Sequence, residues 1–247
     1  MQTVKFEDLG RMDYKTAWDL QEKLLQQNVQ IKSTRNQVLA TEPHRTEHNH
    51  DSTTHHLLFV EHPPVYTLGK SGHIENILIT EEERIAQQIE FFRTNRGGDI
   101  TFHGAGQIVG YPIFDLEKFY TDIGKYLRNL EEVIIRVMTS YGLKGERSKG
   151  ETGVWLDTDI KGKERKICAI GVRCSRWITM HGFAFNVNTD LSYFDNIVPC
   201  GIPDKKVTSL EKELGRTVSI PEVKERLKKS FEEVFDIKCE DVKMPMC

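Results

Sequence analysis

No stretch of this 247-residue chain is apolar for the roughly 18–20 residues that a helix needs to cross a bilayer. The segment from Met1 to Asp8 holds no apolar run of the kind a secretory signal carries, so a cytoplasmic protein is expected. Excess charge is missing too. With 34 Lys and Arg against 37 Asp and Glu, the formal net charge is −3, and no basic stripe points to nucleic acid. Cysteine is scarce and odd in number. Cys168, Cys174, Cys200, Cys239 and Cys247 are irregularly spaced, which suits free thiols in a reducing compartment and not a disulfide framework. No internal repeat is visible. His44, His48, His50, His55 and His56 cluster, but without cysteine partners or an ordered spacing, so no metal site is expected there.

What remains is an alternation of helical and strand-like patterns, which predicts an α/β or α+β domain. The length fits one large domain or two small ones, with a small appended unit after about residue 205 as the second option. Residues 14–30 read as helix and the polar stretch 38–56 as a surface loop. Strands are predicted at Leu57–Val60 and Val65–Leu68, followed by a helix over 81–88 with Thr80 and Glu83 as its capping box. Ile89–Thr94 reads as a strand that enters a Gly-rich turn, with Gln107–Phe114 as its return strand. The clearest helix spans about 122–141, where Ile123, Leu127, Leu130, Ile134, Val137 and Met138 recur at helical spacing. Strands at 153–157, 166–173 and 177–187 follow, the last two joined by a turn at Cys174–Arg176. Ser219 and Glu222 open a C-terminal helix over 219–236.

Four segments carry candidate chemistry. In Arg96-Gly97-Gly98-Asp99-Ile100-Thr101-Phe102-His103-Gly104-Ala105-Gly106-Gln107, glycines let the backbone approach a ligand and present N–H groups. Its spacing does not fit a dinucleotide fingerprint. Lys166 leads the apolar run Ile167–Val172; a lysine in that position is either a snorkelling edge residue or a cation held near a pocket. Thr179–Asn188 alternates like a half-buried strand, with Gly182-Phe183-Ala184 suited either to a core or to the wall of a narrow apolar tunnel. His181 within it is either a proton carrier or a hydrogen-bonded core histidine. Cys200 sits between Pro199 and Gly201, a turn context that lifts a thiol out of a wall. A thiol of this kind needs a cation to become a nucleophile, and Lys166 is the candidate. Cys168, inside its apolar run, reads as a small buried hydrophobe.

Taken in order, these segments resemble the lipoyl (octanoyl) transferase family. The resemblance rests on His62-Pro63-Pro64-Val65-Tyr66-Thr67-Leu68-Gly69, Arg96-Gly97-Gly98 through Gly110-Tyr111-Pro112, Lys166 through Gly171, His181 through Asn188, and Pro199-Cys200-Gly201-Ile202. It covers about residues 57–210 of a single catalytic domain spanning 1–247. Ala105 stands where the family usually has proline, Cys168 where alanine is usual and Phe185 where leucine is common; the 38–56 stretch looks like an insertion.

The resemblance implies a mixed β-sheet flanked by helices, like the catalytic domain of biotin and lipoate protein ligases. It implies that Cys200 carries an acyl-thioester and that Lys166 lowers its pKa. It also implies substrate contacts at Arg96, Gly97, Gly98, Asp99, Ile100, Thr101, Phe102 and His103, at Ala169, Ile170 and Gly171, and at Gly182, Phe183 and Ala184. The implied donor is octanoyl-acyl carrier protein. The implied acceptors are lipoyl domains of 2-oxoacid dehydrogenases and the glycine-cleavage H protein, with no cofactor, metal, nucleic acid or membrane required. Three other readings fit some of the same residues. They are an ATP-dependent lipoate–protein ligase that does not need Cys200, a cysteine hydrolase with His103 or His181 as base, and a non-enzymatic module that binds lipoyl domains.

Overall fold

Apolar alternation on both faces of one sheet organises the chain. The computed structural model describes residues 1–41, 52–198 and 206–242. In β2 (His55–Glu61), Leu57 and Phe59 join one hydrophobic cluster while Leu58 and Val60 join another on the opposite face. That is the two-residue period of a strand covered on both sides. β1 (Gln2–Arg11) runs parallel to β2 and, on its other edge, to β11 (Ile237–Asp241). β6 (Gln107–Ile113) lies antiparallel between β2 and β9 (Ile178–Asn186), and β8 (Arg165–Ser175) pairs with β9. β10 (Lys206–Val207) and β7 (Val154–Leu156) complete the eight-stranded sheet against β8. A smaller sheet has the order β4 (Glu90–Arg93), β3 (Val65–Leu68), β5 (Ile100–His103).

α3 (Ile123–Ser140) and α5 (Ile220–Phe235) cover one face of the large sheet, where Phe231 stacks on Phe235 at 5.6 Å between ring centroids. Truncating so buried a ring would cost about 3–5 kcal/mol. α1 (Tyr14–Thr41) covers the other face through Ala17 and Leu25. Short helices α2 (Glu81–Ala86) and α4 (Leu210–Leu214) lie in connections. No helix among the described residues is long and apolar enough to cross a membrane.

The caps act as their residue types require. Thr80 and Glu83 form a reciprocal capping box, Asp122 caps α3 and Ser219 caps α5. The β8–β9 hairpin closes one residue later than expected, through Arg176 and Trp177 with φ of 49° and 64°. Two successive left-handed residues are the signature of a type I′ turn, whose twist matches that of the strands.

Several expectations need correction. Residues 89–94 and 107–114 do not form a hairpin, because β4 pairs with β3 while β6 belongs to the large sheet. The intervening Gly-rich segment contains β5, a four-residue strand whose short alternation is hidden among glycines. The stretch 38–56 is not all loop: α1 continues to Thr41, and His55 and His56 begin β2, with residues 42–51 outside the described residues. Residues 206–242 form no separate unit, since β10 and β11 join the same large sheet.

Candidate active site

The outer edge of β8 has two neighbours, and a cavity opens along the wall they build. Near its start β8 pairs with β7, Trp155 opposite Lys166 and Val154 opposite Cys168. Farther along, the Gly97 N–H donates to the Val172 carbonyl at 2.9 Å. This approach requires Gly171, because a Cβ there would sit 2.7 Å from the Gly97 carbonyl oxygen. The resulting cavity of about 620 Å³ lies within the range of small-molecule sites.

Most of the residues singled out from the sequence meet here. Arg96 to Thr101, His103, Lys166, Ala169 to Gly171 and Gly182 to Ala184 all line the cavity. Phe102 does not. Its ring stacks on Tyr193 at 4.5 Å and meets Phe194 edge-on, so it serves the core of the small sheet. Cys200 lies outside the described residues, as do Pro199 and Gly201. Ile123 and Leu127 of α3 are only partly buried because they line the same cavity.

The polar end is built from a buried guanidinium and two histidines held neutral. The buried Arg96 braces its own loop, donating to the Thr67 carbonyl (2.6 Å), Thr67 Oγ1 (2.9 Å) and the Gly97 carbonyl (3.0 Å). Gln107 donates from Nε2 to Phe102 O and Asn186 Oδ1, which turns its Oε1 toward His103 Nδ1 at 2.8 Å. His103 therefore donates from Nδ1, while Nε2 faces Thr67 Oγ1 at 3.2 Å. Burial, then the neighbouring His62 and Arg96, hold its pKa well below 6.5. His181 donates from Nε2 to Asn95 Oδ1 at 2.7 Å, since Asn95 Nδ2 is committed to Glu22. Burial, Arg96 and Arg173 lower its pKa to about 3. Neither histidine is poised as a base, which weighs against the hydrolase reading.

Sequence reasoning missed Tyr14, Tyr111 and Glu151, all of which line the cavity. Tyr14 comes from α1 and stacks on His103 at 5.8 Å; nothing local in its sequence marks it. Tyr111 lies 2.7 Å from His62 Nε2, and His62 Nδ1 lies 2.8 Å from the Met12 carbonyl, so Tyr111 is the donor to His62.

Lys166 is set in a cage made by the chain just before it. Its side chain is 10% exposed, and Nζ lies 4.4 Å from the Trp155 ring centroid and 3.9 Å from Glu151 Oε2. An aromatic face and a carboxylate both attract the ammonium group. Gly153 forms the third side, with φ of 123° and a Cβ position 3.5 Å from Lys166 Cε. The Gly153 N–H donates to Glu131 Oε1 at 3.0 Å, and Arg128 and Arg147 hold the other carboxylate oxygen of this fully buried residue. Beyond Lys166, its carbonyl accepts the Thr208 N–H at 2.9 Å and Val207 pairs with it.

The described cysteines are poor nucleophiles. Burial pushes the Cys168 thiol well above its usual value, raises Cys174 and lifts Cys239 to about 12.

The sequence profile of the Lipoyl protein ligase A/B catalytic domain matches residues 13–232. The chain belongs to that family. Proteins named octanoyltransferase from Christiangramia forsetii and Flavobacterium psychrophilum are 56% and 55% identical to it. The alignments cover 94% and 95% of this chain and 95% and 97% of theirs. Among solved structures, a bipartite lipoate protein ligase from Thermoplasma acidophilum superposes with a TM-score of 0.69 at 17% identity, covering 99% of this chain and 88% of that one. A lipoate-protein ligase A bound with ATP gives 0.64 at 14% identity, over 98% and 89%. These two likenesses establish the ligase-type fold of this family member.

Proposed function

We propose that the protein is an octanoyltransferase of lipoate biosynthesis that moves an octanoyl group from octanoyl-acyl carrier protein to the lysine of a lipoyl domain, through a thioester on Cys200. The observation that carries this reading is the cavity that holds Lys166 in its wall, where the chain re-enters at Val207 seven residues after Cys200. Cys200 lies two residues beyond Val198, whose N–H is anchored to the Asn76 carbonyl at 2.8 Å.

In the first step the Cys200 thiolate attacks the thioester carbonyl, the pantetheine thiolate leaves, and Cys200 becomes acylated. The caged Lys166 ammonium favours the attacking thiolate. In the second step the acceptor amine attacks the new thioester, forming the amide and releasing Cys200. Backbone N–H groups at Gly98 or Gly171 are the candidate donors to the developing oxyanion, the Gly97 N–H being held by the Val172 carbonyl; such a donor contributes about 3–4 kcal/mol in comparable sites. Burial of the acyl chain among Ile123, Leu127, Ile170 and Phe183 contributes about 0.8 kcal/mol per methylene. Thioester exchange is nearly isoenergetic, so no cofactor or ATP enters. The acceptors are lipoyl domains of 2-oxoacid dehydrogenases and the H protein, and the site of action is the cytoplasm.

Intact-protein mass spectrometry after incubation with octanoyl-acyl carrier protein tests this. An octanoyl adduct that maps to Cys200, is absent in Cys200→Ser and discharges onto a lipoyl domain is expected. Absence of an adduct, with ATP-dependent pyrophosphate release from free octanoate or lipoate, would establish the ligase reading instead.

A further inference from the structure

We propose that the end of the cavity at His181 is a subsite for a hydroxyl group at the tip of the acyl chain, so that the enzyme also transfers tip-hydroxylated medium-chain acyl groups. The proposal rests on the acyl-transfer reading above. The cavity follows β8 from Lys166 to Val172, the residue opposite His181, with Ala169, Ile170, Phe183 and Ala184 in its wall. An acyl chain with its carbonyl beside Lys166 therefore carries its tip toward His181.

His181 is held there against its backbone preference. It is 2% exposed, and its φ of 56° is left-handed within β9, a conformation uncommon for a residue with a Cβ. Two hydrogen bonds impose the pose: the His181 N–H donates to Gln21 Oε1 at 2.9 Å, and its Nε2–H donates to Asn95 Oδ1 at 2.7 Å. With the proton on Nε2, Nδ1 is a buried acceptor, and no described residue donates to it. Beside it lies the opposite deficit. The Trp18 ring is 6.1 Å from that of His181, and its buried Nε1–H has no acceptor among the described residues. Trp18 is also 6.0 Å from Tyr14, another ring of the cavity wall.

An unpaired acceptor and an unpaired donor at one corner define the chemistry that fits. A hydroxyl answers both, because its proton goes to His181 Nδ1 while its oxygen accepts from Trp18. A methyl tip answers neither, and it shuts both away from water. A carboxylate tip has no proton to give, and burial keeps the His181 ring neutral, so it supplies none.

The test loads acyl carrier protein with octanoyl, 8-hydroxyoctanoyl or 5-hydroxyoctanoyl groups and follows single-turnover acylation of the enzyme by intact-protein mass spectrometry. The 8-hydroxyoctanoyl group should acylate the enzyme at least as fast as octanoyl. The 5-hydroxyoctanoyl group, whose hydroxyl falls in the apolar stretch, should react at least about tenfold more slowly. In His181→Asn, which tolerates the left-handed backbone but withdraws the ring nitrogen, the ratio of 8-hydroxyoctanoyl to octanoyl rates should fall roughly tenfold. If that variant does not fold, the wild-type comparison decides alone. Equal slowing of both hydroxylated chains would overturn the proposal, and so would both reacting as fast as octanoyl, the result of a wet cavity without a subsite. An unchanged ratio in His181→Asn would also overturn it. A wild-type enzyme that takes no octanoyl adduct removes the transfer reading, whereas a normal octanoyl adduct with both hydroxylated chains rejected removes this proposal alone.

Discussion

Two buried lysines in this molecule have different surroundings. Lys32 on α1 is 6% exposed at its side chain and Lys166 is 10% exposed. Lys32 Nζ donates to Asp115 Oδ1 at 3.0 Å and the Arg176 carbonyl at 2.8 Å, with Glu117 Oε2 also 2.8 Å away. Asp115 in turn accepts from Thr53 and gives its N–H to His55 Nδ1. Short hydrogen bonds surround that ammonium, and the residues making them line no part of the cavity. Lys166 sits beside a ring and a carboxylate in a cavity wall. Burial alone does not mark a functional lysine; what separates these two is a cavity beside the charge.

The sharpest way to break the comparison is to remove each lysine in turn. Lys166→Ala should lower kcat/KM for octanoyl transfer roughly 10²–10⁴-fold while thermal stability changes little. It should also raise the pH at which Cys200 reacts with iodoacetamide, followed by peptide mapping; an unchanged profile would make Lys166 structural. Lys32→Met should do the reverse. It strands the buried Asp115 charge, at a cost of about 3–5 kcal/mol in chemical denaturation, while activity per folded molecule persists. Loss of catalysis without loss of stability in Lys32→Met would erase the distinction.

Glu131→Gln probes the support beneath the Lys166 cage. It weakens the anchor of Gly153 and should cost about 1–3 kcal/mol of stability, with a fall in kcat exceeding any rise in KM. The pH dependence around the Lys32 cluster and the cavity sharpens the comparison from another side. Burial holds His55 and His62 near 4, below the 6.5 of a free imidazole. Between those values the unfolded chain binds more protons than the folded one. Stability is therefore complete above about pH 6.5 and declines as pH falls toward 4, by at most about 1.4 kcal/mol per pH unit for each histidine. Urea midpoints at several pH values check the slope, and a His55→Asn variant should flatten it.

Much of this was legible in the residues. α3 followed from its apolar spacing, α5 from its apolar spacing and its Ser219 cap, and β3 spans Val65–Leu68 as expected. The misreadings share a cause. β5 was hidden because four residues between glycines carry too little period to declare a strand. The expected hairpin from 89–94 to 107–114 failed because neighbours in sequence found partners elsewhere: β4 beside β3, and β6 between β2 and β9. Phe102 looked like a contact residue because it sits among contact residues, yet the strand gave its ring to Tyr193.

By itself the sequence determined the helices, their caps and the segments rich in glycine, lysine and histidine that converge on the cavity. Those features depend on chemistry within a few residues, where spacing and side-chain type suffice. Only the tertiary structure decided that Tyr14 stacks on His103, that Gly97 docks on Val172, and that Glu131 steadies the turn beside Lys166. Each of these joins residues far apart in the chain. They exist because burying both faces of one sheet brings those segments together, a condition met by the whole fold and written in no single stretch.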